Sequence, residues 1–503
     1  MVEFLKNLFI KKAKNKSDLL KSIDFGSETA ENEDNLSDYF IETNIWDLIL
    51  HKKYDGLILG SKGSGKSSLY KMLINKSEIL KKKSILLVCS DQVSGTPAFN
   101  TLQNNNSNKE KENLYNEDNF KSLWKLYFIQ LITDKLIDVD RIDENVQRII
   151  NILNDNKLSV QNKKTTFHEK IENAIKFISN IKEIGGQVGL TTGVKIVFHS
   201  VPNDDSKISV DHIYKKLDQF LADNSLSVII AMDRLDASFP ANSKLEKVAL
   251  KSLLKVHQDL KSYSGINFII FIRNDIWNIV TEGGFRELSH INTEDIVWDK
   301  DNLYKLLLRR LYENKVLLKT YKMNKNKLIE NINLQHDLFH KLFPEQVNKG
   351  IKEAKTFNWI LSRLSDATGN VMPRDLIFFI NSLKKDTKNK IANGSLSNEL
   401  DNQAIFTKDS FDKALKIVSD KRLNTNLYAE YPHLKDYIES FKGQKAEHSQ
   451  KTLEDIWETS FEETKKISSE LSEIGFLTSK NNKYVVPYLY RKSELEIKNG
   501  KQT

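Results

Sequence analysis

Gly60-Ser61-Lys62-Gly63-Ser64-Gly65-Lys66-Ser67 completes the pattern G-x-x-x-x-G-K-[ST], with Ser68 following. The pattern describes a cradle for phosphate. Its glycines let backbone N–H groups turn inward around phosphate oxygens, and the N-terminus of the next helix adds its positive end. In such a loop Lys66 reaches the β- and γ-phosphates and Ser67 holds Mg²⁺. The bland alternative is an ordinary glycine-rich turn between strand and helix. The flanks argue against it: the short apolar run 54–59 precedes the loop, and the helical stretch SLYKMLINKSEIL follows it.

A phosphate loop needs a second acid at the end of another buried strand. Val228-Ile229-Ile230-Ala231-Met232-Asp233 supplies one. Asp233 is the candidate to orient Mg²⁺ through its water, and no Glu follows it directly. Asp236 either polarises the attacking water or caps the next helix. A further apolar run ends in Phe271-Ile272-Arg273-Asn274-Asp275, which places Arg273 and Asn274 to sense a γ-phosphate. The competing reading pairs Arg273 with an acid and makes Asp275 a helix cap. A guanine-specific pattern is present only as Asn15-Lys16-Ser17-Asp18, ahead of the loop in a polar segment, so ATP is preferred.

Strands are predicted at 54–59, 84–90, 226–232, 266–272 and, weakly, 295–297. They are runs with buried-strand composition separated by helical stretches, and they predict a parallel α/β sheet in the order 2-3-4-1-5. Phosphates would lie at the C-terminal strand ends. Lys66 and Asp233 are 167 positions apart, too far for a minimal core. Residues 95–215 are therefore expected to be a large, mainly helical insertion. Within it 100–119 reads as a polar loop and 184–198 as a possible hairpin. The N-terminal segment 1–40 reads as an amphipathic helix and an acidic loop. It has no signal-peptide order of charges.

The chain has 503 residues, long enough for several domains. Charged residues make up 29% and hydrophobic residues 39%, with no apolar run long enough for a membrane helix. The single Cys89 lies in an apolar run and fits a core position in a reducing, cytoplasmic setting. No Cys/His spacing suggests zinc. The formal net charge of +8, from 76 basic and 68 acidic residues, permits nucleic-acid contact without demanding it.

AENEDNLSDYFIET, LILGSKGSGKSS, IIAMDRLD and FIIFIRNDIW together resemble bacterial P-loop ATPases of the AAA+/STAND-like (ASCE) class, often found beside genome-defence genes. The resemblance extends through Gly369-Asn370-Val371-Met372-Pro373-Arg374-Asp375, similar to the class's lid motif, whose Arg approaches the γ-phosphate. That role falls on Arg374. The alternative is a helix start with Arg374 on the surface. In oligomeric members an Arg from a neighbour completes the site, and Arg309 and Arg310 are the candidates here; a solvated helix face explains them equally. The class implies an ATP-driven switch or assembly protein. It acts as a homo-oligomer or through a separately encoded effector, in a setting such as antiphage defence.

Four parts are expected: 1–40, a P-loop core 41–300, a helical lid 301–400 and a winged-helix-like domain 401–503, with 390–403 as linker. In the last, Leu453, Ile456 and Trp457 share one helical face. A second helix carries Ile467, Leu471 and Ile474 and stops at Gly475, and FLTSKNNKYVVPYLY reads as strand, turn, strand. A winged helix commonly binds DNA through its second helix. Here that helix holds Glu462, Glu463, Glu470 and Glu473 against Lys465 and Lys466, which favours protein contact. Lys480, Lys483, Arg491 and Lys492 could still touch DNA. The rival readings are a DNA-acting motor or loader and a non-enzymatic scaffold stabilised by ATP.

Overall fold

The computed structural model describes residues 11–51, 54–90, 116–158, 166–183, 197–198, 208–235, 244–282, 290–481 and 483–501. They form two compact units. One comprises 42–61 and 66–296; the other comprises the chain up to 41, 62–65 and everything from 297 onward.

The first unit is built on β1 (Gly56–Gly60), β2 (Ile85–Cys89), β3 (Ser227–Met232), β4 (Ile266–Arg273) and β5 (Thr293–Asp295). Their order is β2-β3-β4-β1-β5 and every pairing is parallel, as the apolar runs predict. β1, β3 and β4 are buried along almost their whole length, which is why they read as continuous Val/Ile/Leu runs. β5 departs from the expectation by two residues. It is the polar stretch Thr293–Asp295, fixed by pairing Leu57 with Thr293 and Leu59 with Asp295, and an edge strand needs no apolar content.

The segment expected to be an insertion contributes to this core. The helix Glu117–Asp138 is buried on most sides. Its Trp124 indole donates to the Ala249 carbonyl at 2.9 Å, and Phe128 meets Phe268 of β4 edge-on with ring centres 5.1 Å apart. The helix Val210–Asp223 offers the Asp218 carboxylate to the Gly265 N–H at 2.8 Å, just before β4. The expected hairpin at 184–198 lies mostly outside the described residues. Val197–Phe198 pairs instead with Ile208–Ser209.

The second unit is helical with a small sheet. Asn15-Lys16-Ser17-Asp18 is a helix start: the Asn15 side chain accepts from the Asp18 N–H at 2.8 Å and caps the helix Lys16–Ser22. The stretch 390–403 is docked rather than free. The helix Pro373–Ala392 runs into it, Asn398 accepts from the Lys16 and Ser17 N–H groups, and Lys16 Nζ lies 3.2 Å from Asp401.

At its C-terminal end, β6 (Lys445–Ser449) leads into the helices Gln450–Trp457 and Phe461–Glu473, then β7 (Thr478–Lys480) and β8 (Lys483–Val485). β8 runs antiparallel to both β6 and β7. Strand, two helices and a returning hairpin is the order of a winged helix. β9 (Lys498–Lys501) adds a parallel edge beside β6. Leu453, Trp457, Ile467 and Leu471 are buried where the two helices meet. Tyr488–Arg491 is a short helix, not the strand expected there, because Pro487 removes a ladder donor and sets a helical start. Among the described residues no helix is long and apolar enough to cross a membrane.

Candidate nucleotide site

In the sheet unit, β1 ends at Gly60 and the helix Lys66–Asn75 opens at the motif lysine. Lys66 Nζ folds over the loop entrance, donating to the carbonyls of Gly60 at 2.6 Å and Ser61 at 3.0 Å. Ser67 and Ser68 follow in the first turn, half-buried. β1 lies between β4 and β5, so the loop leaves a central strand at its C-terminal end, where open α/β sheets place ligands.

Asp233 comes directly after β3 and is buried. One turn into the helix, Tyr70 donates to the Ser90 carbonyl at 2.7 Å beyond β2. Burial drives the Tyr70 phenol pKa upward, with Cys89 and Asp233 adding to it, so the phenol stays neutral in the same neighbourhood as Asp233. Asp236 lies outside the described residues.

β4 ends at Arg273, whose guanidinium is held by the neighbouring carboxylate: Nε donates to Asp275 Oδ1 at 3.0 Å and Nη2 to Oδ2 at 2.8 Å. This is the pairing with an acid weighed for Arg273 from the sequence. Asp275 sits in the first turn of Asn274–Thr281 rather than at its cap, which is Arg273. Asn274 is different. Its Oδ1 is buried with no hydrogen-bond partner among the described residues, the state of an acceptor that a ligand or its water would satisfy.

The middle of the phosphate loop, 62–65, belongs with the helical unit, and its contacts there were not legible in the sequence. Gly63 and Gly65 have φ of +89° and +104°. A Cβ on Gly63 would stand 3.0 Å from the Cβ of Arg374, so glycine is required there both for conformation and for space. Trp298 donates its indole N–H to the Ser64 carbonyl at 2.7 Å. Ser64 is itself buried, and its Oγ has no partner among the described residues. Lys62 Nζ lies 2.8 Å from Glu430 and donates to the Thr425 carbonyl at 3.1 Å. Thr425 sits in the π-helix Leu423–Tyr428, a form concentrated at functional positions.

Arg374 is the second residue of the helix Pro373–Ala392, with Pro373 at the start. Its Nε is buried without a partner among the described residues. The proline begins the helix, and the arginine lies against Gly63 rather than on open surface. Arg374→Ala is expected to weaken ATP more than ADP, because only ATP offers γ-oxygens to the guanidinium. Equal losses in parallel calorimetric titrations would remove that role.

Arg309 and Arg310 have different surroundings. Arg310 is buried. Its guanidinium lies over the Tyr39 ring at 4.8 Å and 4.0 Å from Glu33, and it donates to the Leu306 carbonyl. Burial lowers its pKa to about 10, with Glu33 opposing the shift. These contacts tie it to the N-terminal segment. Arg309 is exposed, and its Nη1 donates to the Phe40 carbonyl at 2.9 Å.

Glu430 sets a negative charge beside Lys62 of the candidate phosphate loop. Glu430→Gln is expected to raise ATP affinity by roughly 3–10-fold, from relief of repulsion in a partly screened setting. Competition against a fluorescent ATP analogue measures it; an unchanged or weaker affinity would mean that the Glu430 charge does not act on the nucleotide.

No protein-family model matches the chain, and no curated protein matches it. Several solved structures resemble it. The Aeropyrum pernix ORC2 protein, solved as ADPNP–ADP complexes, is 12% identical with a TM-score of 0.39, covering 87% of this chain and 84% of that one. Cdc6p from Pyrobaculum aerophilum is 11% identical with a TM-score of 0.30, covering 92% and 90%. The Aeropyrum pernix ORC1 protein in complex with DNA is 12% identical with a TM-score of 0.30, covering 96% and 97%.

Proposed function

We propose that this chain binds Mg·ATP on the loop 60–68 and hydrolyses it slowly, using nucleotide state as a switch. The observation that carries the reading is a complete phosphate loop leaving the central strand β1, with Lys66 folded over its entrance. In the same unit as Lys66 and Asp233, the Asn274 Oδ1 is buried with no partner among the described residues, which fits an acceptor for a ligand or its water. Ser67 and Asp233 would hold Mg²⁺, which when bound neutralises phosphate charge. The residue after Asp233 is Arg234, at a positive φ of 58°, so no adjacent carboxylate is there to activate water. That supports slow turnover.

The output is proposed to pass through a partner protein or further copies of the chain, and the genome-defence setting rests on the sequence resemblance. The winged-helix-like end supports protein contact better than a DNA groove. Its second helix opens with Glu462 and Glu463. Arg491, one of the candidate phosphate contacts, is occupied: it donates to the Val486 carbonyl and to Asn499, and its guanidinium lies over Tyr488. Hydrolysis assays with and without duplex DNA separate this reading from the motor.

Asp233→Ala tests the reading as an enzyme. Turnover is expected to fall by about 100-fold or more while ATP binding persists, because the carboxylate acts on the metal and not on the base or ribose. Unchanged turnover at saturating Mg²⁺ would remove Asp233 from the site. Tight ATP binding with undetectable turnover in the wild type would favour the scaffold.

A further inference from the structure

We propose that His336, His340 and Glu345 form a binding site for one divalent transition-metal ion, of the zinc, nickel or copper class, at the end of the helix Ile332–Leu342. This site is separate from the nucleotide loop and independent of the reading above. The two histidines are four residues apart and so share one face of the helix. Their Nε2 atoms are 3.0 Å apart. Two imidazole nitrogens each about 2.0–2.1 Å from one tetrahedral metal stand about 3.3 Å apart, so the pair is within a few tenths of an ångström of the bite of a chelate. The Glu345 carboxylate lies 4.0 Å from His340 Nε2, and the ligand atoms of all three residues fall within 4.8 Å of one another.

The surroundings orient the ligands. His340 Nδ1 lies 3.1 Å from the Phe343 carbonyl. A carbonyl only accepts, so Nδ1 carries the proton and Nε2 keeps a bare lone pair directed at the site, which is how protein scaffolds fix a metal-binding imidazole. His340 is held from behind as well: Phe339 meets its ring at a right angle and stacks on Phe343 with centres 4.4 Å apart. Glu345 follows on a braced loop. Its carbonyl accepts from the Thr356 N–H at 2.9 Å, and the next residue, Gln346, bridges to Lys355. His336 and Glu345 are exposed, so an ion can reach the site and water can complete its coordination. The helix C-terminus adds its negative end. Two imidazoles select zinc, nickel or copper over magnesium or calcium. The sequence shows only the i, i+4 histidine pair, and the third ligand lies beyond the helix end.

The test is a calorimetric titration of the tag-free, chelator-treated chain with Zn²⁺ alone, repeated with Co²⁺ for its visible absorption. One ion per chain is expected to bind in the micromolar range or tighter and to raise the unfolding midpoint. His336→Ala, at an exposed position that should not affect folding, and His340→Ala should each weaken binding by at least about 30-fold. Glu345→Gln should weaken it by about 10-fold. Mg²⁺ at millimolar concentration should not compete. No saturable binding below about 100 μM, or binding unchanged in His336→Ala, would overturn the site. Loss in both histidine variants with no change in Glu345→Gln would overturn the three-ligand form.

Discussion

Lys66→Ala is expected to reduce Mg·ATP affinity by at least about 100-fold. The side chain is the one cation that the motif itself directs at the β- and γ-phosphates. Each charge-assisted hydrogen bond of this kind contributes about 1.5–3 kcal/mol. Losing two such bonds exceeds the about 2.8 kcal/mol that separates a hundredfold in binding. Without nucleotide the ammonium has a different task, donating to the Gly60 and Ser61 carbonyls at the loop entrance. The residue is only half-buried, so its removal should leave the unfolding midpoint of the nucleotide-free chain within a few degrees of wild type. A thermal scan with and without Mg·ATP reads both effects. The wild-type midpoint should rise with ATP and that of the variant should not. An equal rise in both would place the nucleotide elsewhere.

Arg422→Ala is expected to destabilise the chain by about 3–5 kcal/mol, because it strips the cation from a buried cluster. Arg422 Nη1 lies 3.3 Å from Asp375 and Nη2 3.5 Å from Asp366, all three side chains nearly out of solvent. Burial opposes the Arg422 charge, but Asp375, the Tyr490 hydroxyl and Asp366 outweigh it and hold its pKa above the ordinary value. Burial also raises the Asp375 pKa, and Arg422 offsets only part of this.

A carboxyl whose folded pKa exceeds its unfolded one binds protons on folding. Its contribution is most favourable in acid and is lost as pH rises from the ordinary aspartate value through the raised one. Removing Arg422 raises Asp375 further. The deficit of the variant should therefore be largest at neutral pH and shrink toward acid, and adding Asp375→Asn should recover part of it. Denaturant titrations across that window measure this; a pH-independent deficit would contradict the charge account. The cluster also matters for the nucleotide reading. Asp375 adjoins Arg374, and the Ala367 N–H donates to the Gly475 carbonyl at 2.9 Å, so the turn that precedes the arginine-bearing helix is tied to the winged-helix-like end.

What the sequence made legible was what local chemistry dictates. The central parallel strands are apolar because both their faces are covered, and their order followed from the phosphate loop and the acid at Asp233. Gly475 ends its helix at a φ of +82°, as its position suggested. What stayed hidden depends on residues far apart in the chain. Arg309-Arg310 reads as a solvated doublet until Glu33 and Tyr39 arrive from the N-terminal segment. Arg422 has no local partner, and its acids lie about fifty residues earlier. Lys62 occupies a free position of the motif, and its partners Glu430 and the Thr425 carbonyl, the latter in a π-helix that no periodicity announces, lie over 360 residues on. Arg273 was ambiguous by sequence, and its bidentate pairing with a carboxylate two residues on appears only in the structure.

The most direct test is an equilibrium titration of the wild-type chain with Mg·ATP, by calorimetry in the absence of any partner. The account predicts saturable binding of one nucleotide per chain in the micromolar range, tighter for ATP than for ADP, and lost on replacing Lys66. No saturable binding up to millimolar ATP, or binding indifferent to Lys66, would contradict it.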